Sequence, residues 1–102
     1  MSDRKLSPVA KELIAARARI ADPENWCQGA YRSGHRMCAA GSFMNEDSCG
    51  IPTDKLQAVD ALSKVAFELY RAPYVRVNDA LGHEAILHCF DHAIQQELGK
   101  QK

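Results

Sequence analysis

Histidine and cysteine cluster at three places in this chain. The run "NDALGHEAILHCFDH" carries His83, His88, Cys89 and His92, "GHRMC" carries His35 and Cys38, and "NWCQG" carries Trp26 and Cys27. Three chemistries can be drawn from them. His88 and His92 have the i,i+4 spacing of two metal ligands on one helix face, and His35 with Cys38 has the two-residue gap of a ligand pair, so four zinc ligands can be written down. Cys38 with His83 as its base, and Asp79 or Asn78 orienting the imidazole, would be an activated thiol. A helix N-terminus and a neighbouring imidazolium both lower a thiol pKa. In the third case nothing reacts, and these groups form a buried polar network holding a short helix around Cys38 to the last helix.

A helical wheel separates the three late histidines. With Phe90 at zero, Leu87, Ile94, Leu98, Ile86 and Ala93 form one apolar stripe; His83 falls about 20° from its centre, His88 and His92 near 160°. The zinc quartet would therefore join two solvent-facing histidines to a thiol expected in the core, and no metal site is assigned. Cys89 lies at the edge of the stripe and reads as a small buried hydrophobe without a role. His83 on an apolar face needs partners for its ring nitrogens, or it carries a desolvation cost of about a few kcal/mol. Asn78 and Asp79 just before it could orient it or cap the incoming helix. Trp26 reads as a core anchor whose indole N–H finds a carbonyl. Its functional alternative is a wall, with Cys27 and Tyr31, of a small ligand pocket beside Cys38.

The elements that must position these groups are mostly helical. "LSPVAKELIAARARIADP" opens with Ser7 as N-cap and Pro8 in the first turn, and places Val9, Leu13, Ala16 and Ile20 on one face until Asp22-Pro23 ends it. "WCQGAYRSGHRMC" has Gly29 and a central Ser33-Gly34 between short alternating segments, which suggests a small irregular hairpin. "CAAGS" is small and apolar, so a short helix packed closely on its neighbours is expected there. In "TDKLQAVDALSKVAFELYR", Thr53 is the expected N-cap. Ala58, Val59, Leu62, Val65, Ala66 and Leu69 fall on one face, opposite Gln57, Asp60, Lys64, Glu68 and Arg71. "APYVRVND" is β-branched and alternating, so an extended segment at Val75–Val77 should lead into the last helix, His83 to Gly99.

The chain has 102 residues, with 13 basic and 13 acidic side chains. At that length roughly 60–70% of the unfolded surface can be buried, enough for one core without metals or disulfides. A neutral chain lacks the basic footprint of a nucleic-acid binder. No signal peptide or membrane span is legible at the N-terminus, so a cytosolic protein is expected, with Cys27, Cys38, Cys49 and Cys89 as thiols. No cofactor motif emerges.

The elements "ADPENWCQGAY", "CAAG" and "VNDALGHEAILHCFDHAI" resemble a family of small bacterial proteins of unknown function with W-C-x-G-A, C-A-x-G-A and N-D…H motifs. Matching positions are Trp26, Cys27, Gly29, Ala30, Cys38, Ala39, Gly41, Asn78, Asp79, His83, Asp91, Ala93 and Ile94. Ser42 departs from an expected alanine and His92 from a more usual arginine. The resemblance implies that Trp26, Cys38, Asn78, Asp79 and His83 belong to one site, without saying what it does.

The expectation is a mostly α, compact single domain over 1–102, ordered at about 7–98: a bundle of about four helices, a small irregular hairpin and one short extended segment. A small accessory or regulatory domain that binds a protein or small ligand comes first among functions, since no strong catalytic motif is present. Self-association as a homodimer is one form such binding could take. A thiol-dependent enzyme using Cys38, His83 and Asp79 or Asn78 is the second class and a metal-binding protein the third.

Overall fold

The computed structural model describes residues 7–44 and 50–99, so Cys49 lies outside the described residues. Helix α1 spans Pro8–Ile20, and the Ser7 hydroxyl accepts the Ala10 N–H at 3.1 Å, satisfying one of the donors that a helix start leaves unpaired. Its buried face is Ala10, Leu13, Ala16 and Ile20. A single turn, Pro23–Asn25, is capped by the Asp22 carboxylate, which accepts the Glu24 N–H at 2.9 Å. Strands β1 (Arg32–Ser33) and β2 (Arg36–Met37) pair antiparallel around Gly34-His35, the expected hairpin.

Helix α2 (Leu56–Tyr70) buries Ala58, Leu62, Val65 and Ala66, with Val59 and Leu69 half-covered at the flanks. Every residue assigned to its polar face is exposed. Its start corrects the expected cap. Thr53–Lys55 form a tight 3₁₀ turn entered from Pro52, and no side chain, Thr53 included, caps it or α2. At its other end Arg71 takes the left-handed conformation, φ 58°, and its N–H closes on the Phe67 carbonyl.

The segment expected to be extended is helical instead. α3 (Tyr74–Arg76) runs into a wide turn over Val77–Leu81, closed by the Gly82 N–H on the Val77 carbonyl at 3.1 Å. Its burial pattern explains the outcome: Tyr74, Val77 and Asn78 face inward and Val75 and Arg76 outward, a helical spacing that packing imposes over local β preference. Gly82 at φ 107°, ψ −177° occupies backbone space reserved for glycine and redirects the chain into α4 (His83–Gly99).

α4 lies against both α1 and α2, which also touch each other, and Phe90 stacks on Phe43 at 5.8 Å between ring centroids. Cys89, placed at the stripe's edge by the wheel, is wholly buried. The short helix expected after Met37 is one 3₁₀ turn, Gly41–Phe43, fully buried against α1. Arg19 and Arg32 reach in from the rim, donating to the carbonyls of Ser42 (2.7 Å) and Met44 (3.1 Å) that this turn leaves open. Among the described residues no helix is long and apolar enough to cross a membrane.

Candidate functional site

The turn closed at Gly82 is one residue wider than an α-helical turn, a device that re-aims side chains. It points Asn78 into the protein and leaves Asp79 at the surface. Asn78 has no exposed surface. Its Oδ1 accepts the Trp26 indole N–H at 2.7 Å and the Ala39 N–H at 2.9 Å, and its Nδ2 donates to the Cys27 carbonyl at 3.1 Å and Asp79 Oδ1 at 2.9 Å. An amide has two donor hydrogens and two acceptor lone pairs on oxygen, so this side chain is saturated. Three segments meet on it: the Trp26–Cys27 segment, the Cys38–Phe43 turn and its own wide turn.

Gln28 and Gly29 fasten the same junction from outside. The Gln28 amide donates to the carbonyls of Asn78 (3.2 Å) and Asp79 (3.1 Å), and the Gly29 N–H donates to Asp79 Oδ1 at 3.0 Å. Asp79 Oδ1 is thereby held by two donors. The carboxylate borders a cleft of about 450 Å³ lined by Gly29, Ala30, Tyr31, Cys38, Val75 and Asp79. Trp26 and Cys27 line a neighbouring hollow with Arg36, sharing only Gly29 and Ala30 with the first. Of the three expected pocket residues, Tyr31 alone therefore stands in the cleft with Cys38.

Cys38 is buried, with 3% of its surface exposed, and lines the cleft. The Cys38 N–H donates to the Tyr31 carbonyl at 3.1 Å, and the Gly41 N–H points at Sγ, 3.4 Å away. Burial pushes this thiol above its ordinary pKa; the backbone N–H groups of Gly41, Ala40 and Cys38 itself oppose that, and the Asp79 charge adds to it. The expected lowering is thus reversed, because desolvation outweighs a single turn of N–H groups. Cys27 is raised too, first by burial and then by the negative fields of Cys38 and Asp79, with Arg36 opposing. Cys89 is pushed up to about 11 by burial alone. A raised thiol pKa favours the folded state below the unfolded value of 9.0 and loses that contribution as pH climbs toward 11, so Cys89 makes the fold alkali-sensitive in that window. At pH 8, iodoacetamide should label Cys27 first and Cys38 more slowly, and Cys89 only after unfolding. Peptide mass spectrometry over time reads the order, and early labelling of Cys89 would contradict its burial.

His83 does not meet Cys38 through a hydrogen bond. Its Nε2 lies 2.6 Å from the Ile20 carbonyl, which can only accept, so that nitrogen carries the proton, and its ring tilts against Trp26 at 4.9 Å. Neither Asn78 nor Asp79 orients it or caps α4: Asn78 faces Trp26 and Ala39, and Asp79 faces Gly29. His83 joins the site only through the indole between them. The other histidines are dispersed. His35 sits on the Glu24 carbonyl at 3.1 Å, and His88 pairs with the Tyr70 hydroxyl at 3.2 Å beside the half-buried His92. Among the described residues no three His, Cys, Asp or Glu side chains come together as a metal site.

Sequence reasoning missed Gln28, Val75 and Tyr74. Tyr74 is 8% exposed, and its phenol is pushed up to about 12 by burial and by the nearby Cys38 and Tyr31, which places it behind the cleft. The inward spacing of Tyr74, Val77 and Asn78 was the available signal for the helix that carries Tyr74 and Val75.

A family model described as a family of unknown function, DUF6197, matches residues 4–96. No curated protein and no solved structure matches the chain.

Proposed function

We propose, for a chain that belongs to the DUF6197 family of unknown function, a binding domain that holds a small ligand in the cleft between the Gly29–Tyr31 loop, Cys38, Val75 and Asp79. The observation that carries this reading is the saturated Asn78 amide. A fully satisfied buried polar group fixes three segments in one relative position, and such fixing is what a preformed ligand site requires. The cleft falls in the size range of small-molecule sites and combines apolar wall with a few placed polar groups. Tyr31 (55% exposed) and Val75 (36%) are large apolar side chains left uncovered at its mouth.

The test is a titration of ¹⁵N-labelled protein with a fragment set spanning cations, neutral molecules and anions. Saturable shifts should concentrate on the amides of Gly29, Ala30, Tyr31, Val75 and Asp79, and Val75→Arg, which fills the mouth from an exposed position, should abolish them. Shifts scattered over the surface, or unaffected by Val75→Arg, would overturn the reading.

A second reading, thiol chemistry at Cys38, is favoured by the place of Cys38 in the wall of the same cleft with the Gly41 N–H aimed at its sulfur. It requires Cys38 to be the fastest-labelled cysteine well below pH 8.5 and to lose that advantage in His83→Ala. The raised pKa of Cys38 and the Ile20 partner of His83 weigh toward binding.

A further inference from the structure

The charge types around the cleft decide what kind of ligand it suits. None of its six lining residues can carry a positive charge, while Asp79 is an acid and Cys38 and Tyr31 become anionic when they ionise. Tyr74 behind them is another phenol, its pKa of about 12 keeping it neutral at pH 7. The negative field reaches inward: the Asp79 charge raises the thiols of both Cys38 and Cys27, and on Cys27 it outweighs the opposing Arg36, which belongs to the neighbouring hollow. The Asp79 carboxylate is also held in place. Its Oδ1 is held by the Gly29 N–H and the Asn78 amide, and its Oδ2 has no hydrogen bond among the described residues. Beside it the Tyr31 ring is exposed and Val75 supplies apolar wall. A fixed carboxylate next to an aromatic face and an apolar wall is the arrangement that recognises ammonium groups, through ion pairing and the ring quadrupole together.

We infer that the cleft is a site for a small organic cation, an ammonium or amidinium on a short apolar body, with Asp79 as counter-ion and Tyr31 as the aromatic face. This rests on the cleft being a binding site at all. An anionic ligand would meet the Asp79 charge without a compensating cation in the wall, and a neutral one would offer Oδ2 only an uncharged donor, a weaker partner than an ammonium.

Three near-isosteric probes test it: 2-phenylethylammonium, 2-phenylethanol and 3-phenylpropanoate, each titrated at pH 7 into the ¹⁵N-labelled protein. The ammonium should shift the Gly29, Tyr31 and Asp79 amides saturably and bind about tenfold tighter than the alcohol, with the propanoate weakest, the size expected for a half-exposed ion pair plus a cation–π contact. Asp79→Asn keeps an oxygen to accept from Gly29 and Asn78 and removes the charge, so it should weaken ammonium binding and reduce the preference to about onefold. If the alcohol or the propanoate binds the cleft as tightly as the ammonium, or if Asp79→Asn leaves the preference intact, the cation inference fails and the binding reading stands. If none of the three, nor any member of the fragment set, moves the cleft amides, both fail.

Discussion

Replacing Asn78 with leucine, close in volume and unable to hydrogen-bond, should destabilise the domain by about 4 kcal/mol. The estimate follows from what is left behind, since the Trp26 indole N–H and the Ala39 N–H would both lose their acceptor inside the protein, at about 1–3 kcal/mol each. The Cys27 carbonyl loses its donor as well. Single domains have about 5–15 kcal/mol to lose, so the variant should fold with a strongly reduced urea midpoint. Trp26 is the only tryptophan of the chain and reports directly: its emission should change in the folded baseline as well as in the transition. The same substitution should abolish ligand shifts in the cleft, because the Gly29–Tyr31 loop and the Cys38 turn lose their common anchor. A loss below about 1 kcal/mol would show that the three segments are held by something other than this amide.

Gly41→Ala should be comparably damaging, for a purely steric reason. A Cβ at this position would stand 2.1 Å from the Tyr31 carbonyl oxygen and 3.0 Å from its carbon, and both are backbone atoms that no rotamer change can move aside. The 3₁₀ turn and the Tyr31 backbone approach this closely because the Cys38 N–H bonds that same carbonyl. Separating them breaks the bond and opens the cleft between Tyr31 and Cys38. Overpacking costs typically about 1–3 kcal/mol, and with a backbone clash the upper end is expected, a fall in Tm of roughly 12–24 °C for a domain of this size. Gly99→Ala is the control, since nothing lies within 4 Å of the atom it adds, and it should stay within about 0.5 kcal/mol of the parent. Differential scanning calorimetry of the two variants decides the point, and equal melting temperatures would refute the close approach.

α1, α2 and α4 were legible from their residues alone because a helix is a local object. Apolar spacing of three and four, Ser7 before Pro8, and Gly99 at the far end each act within a turn or two of the chain, and the burial of Leu13, Leu62 and Phe90 follows from that period. The hairpin around Gly34 is equally local. The motif positions Trp26, Cys27, Gly29, Cys38, Asn78 and Asp79 do assemble, but their spacing says nothing of how. The bonds that assemble them join residues 39 to 52 apart in sequence, and His83 finds its partner 63 residues away. Such pairings are chosen by which surfaces the helices bury against one another. Tertiary packing therefore decided that Tyr74–Arg76 coils despite its β-branched neighbours, and that Asn78 turns inward while Asp79 faces the cleft. It also left Cys38 desolvated beside Asp79 instead of activated by His83, because burial acts on a thiol more strongly than the one short turn whose N–H groups face it.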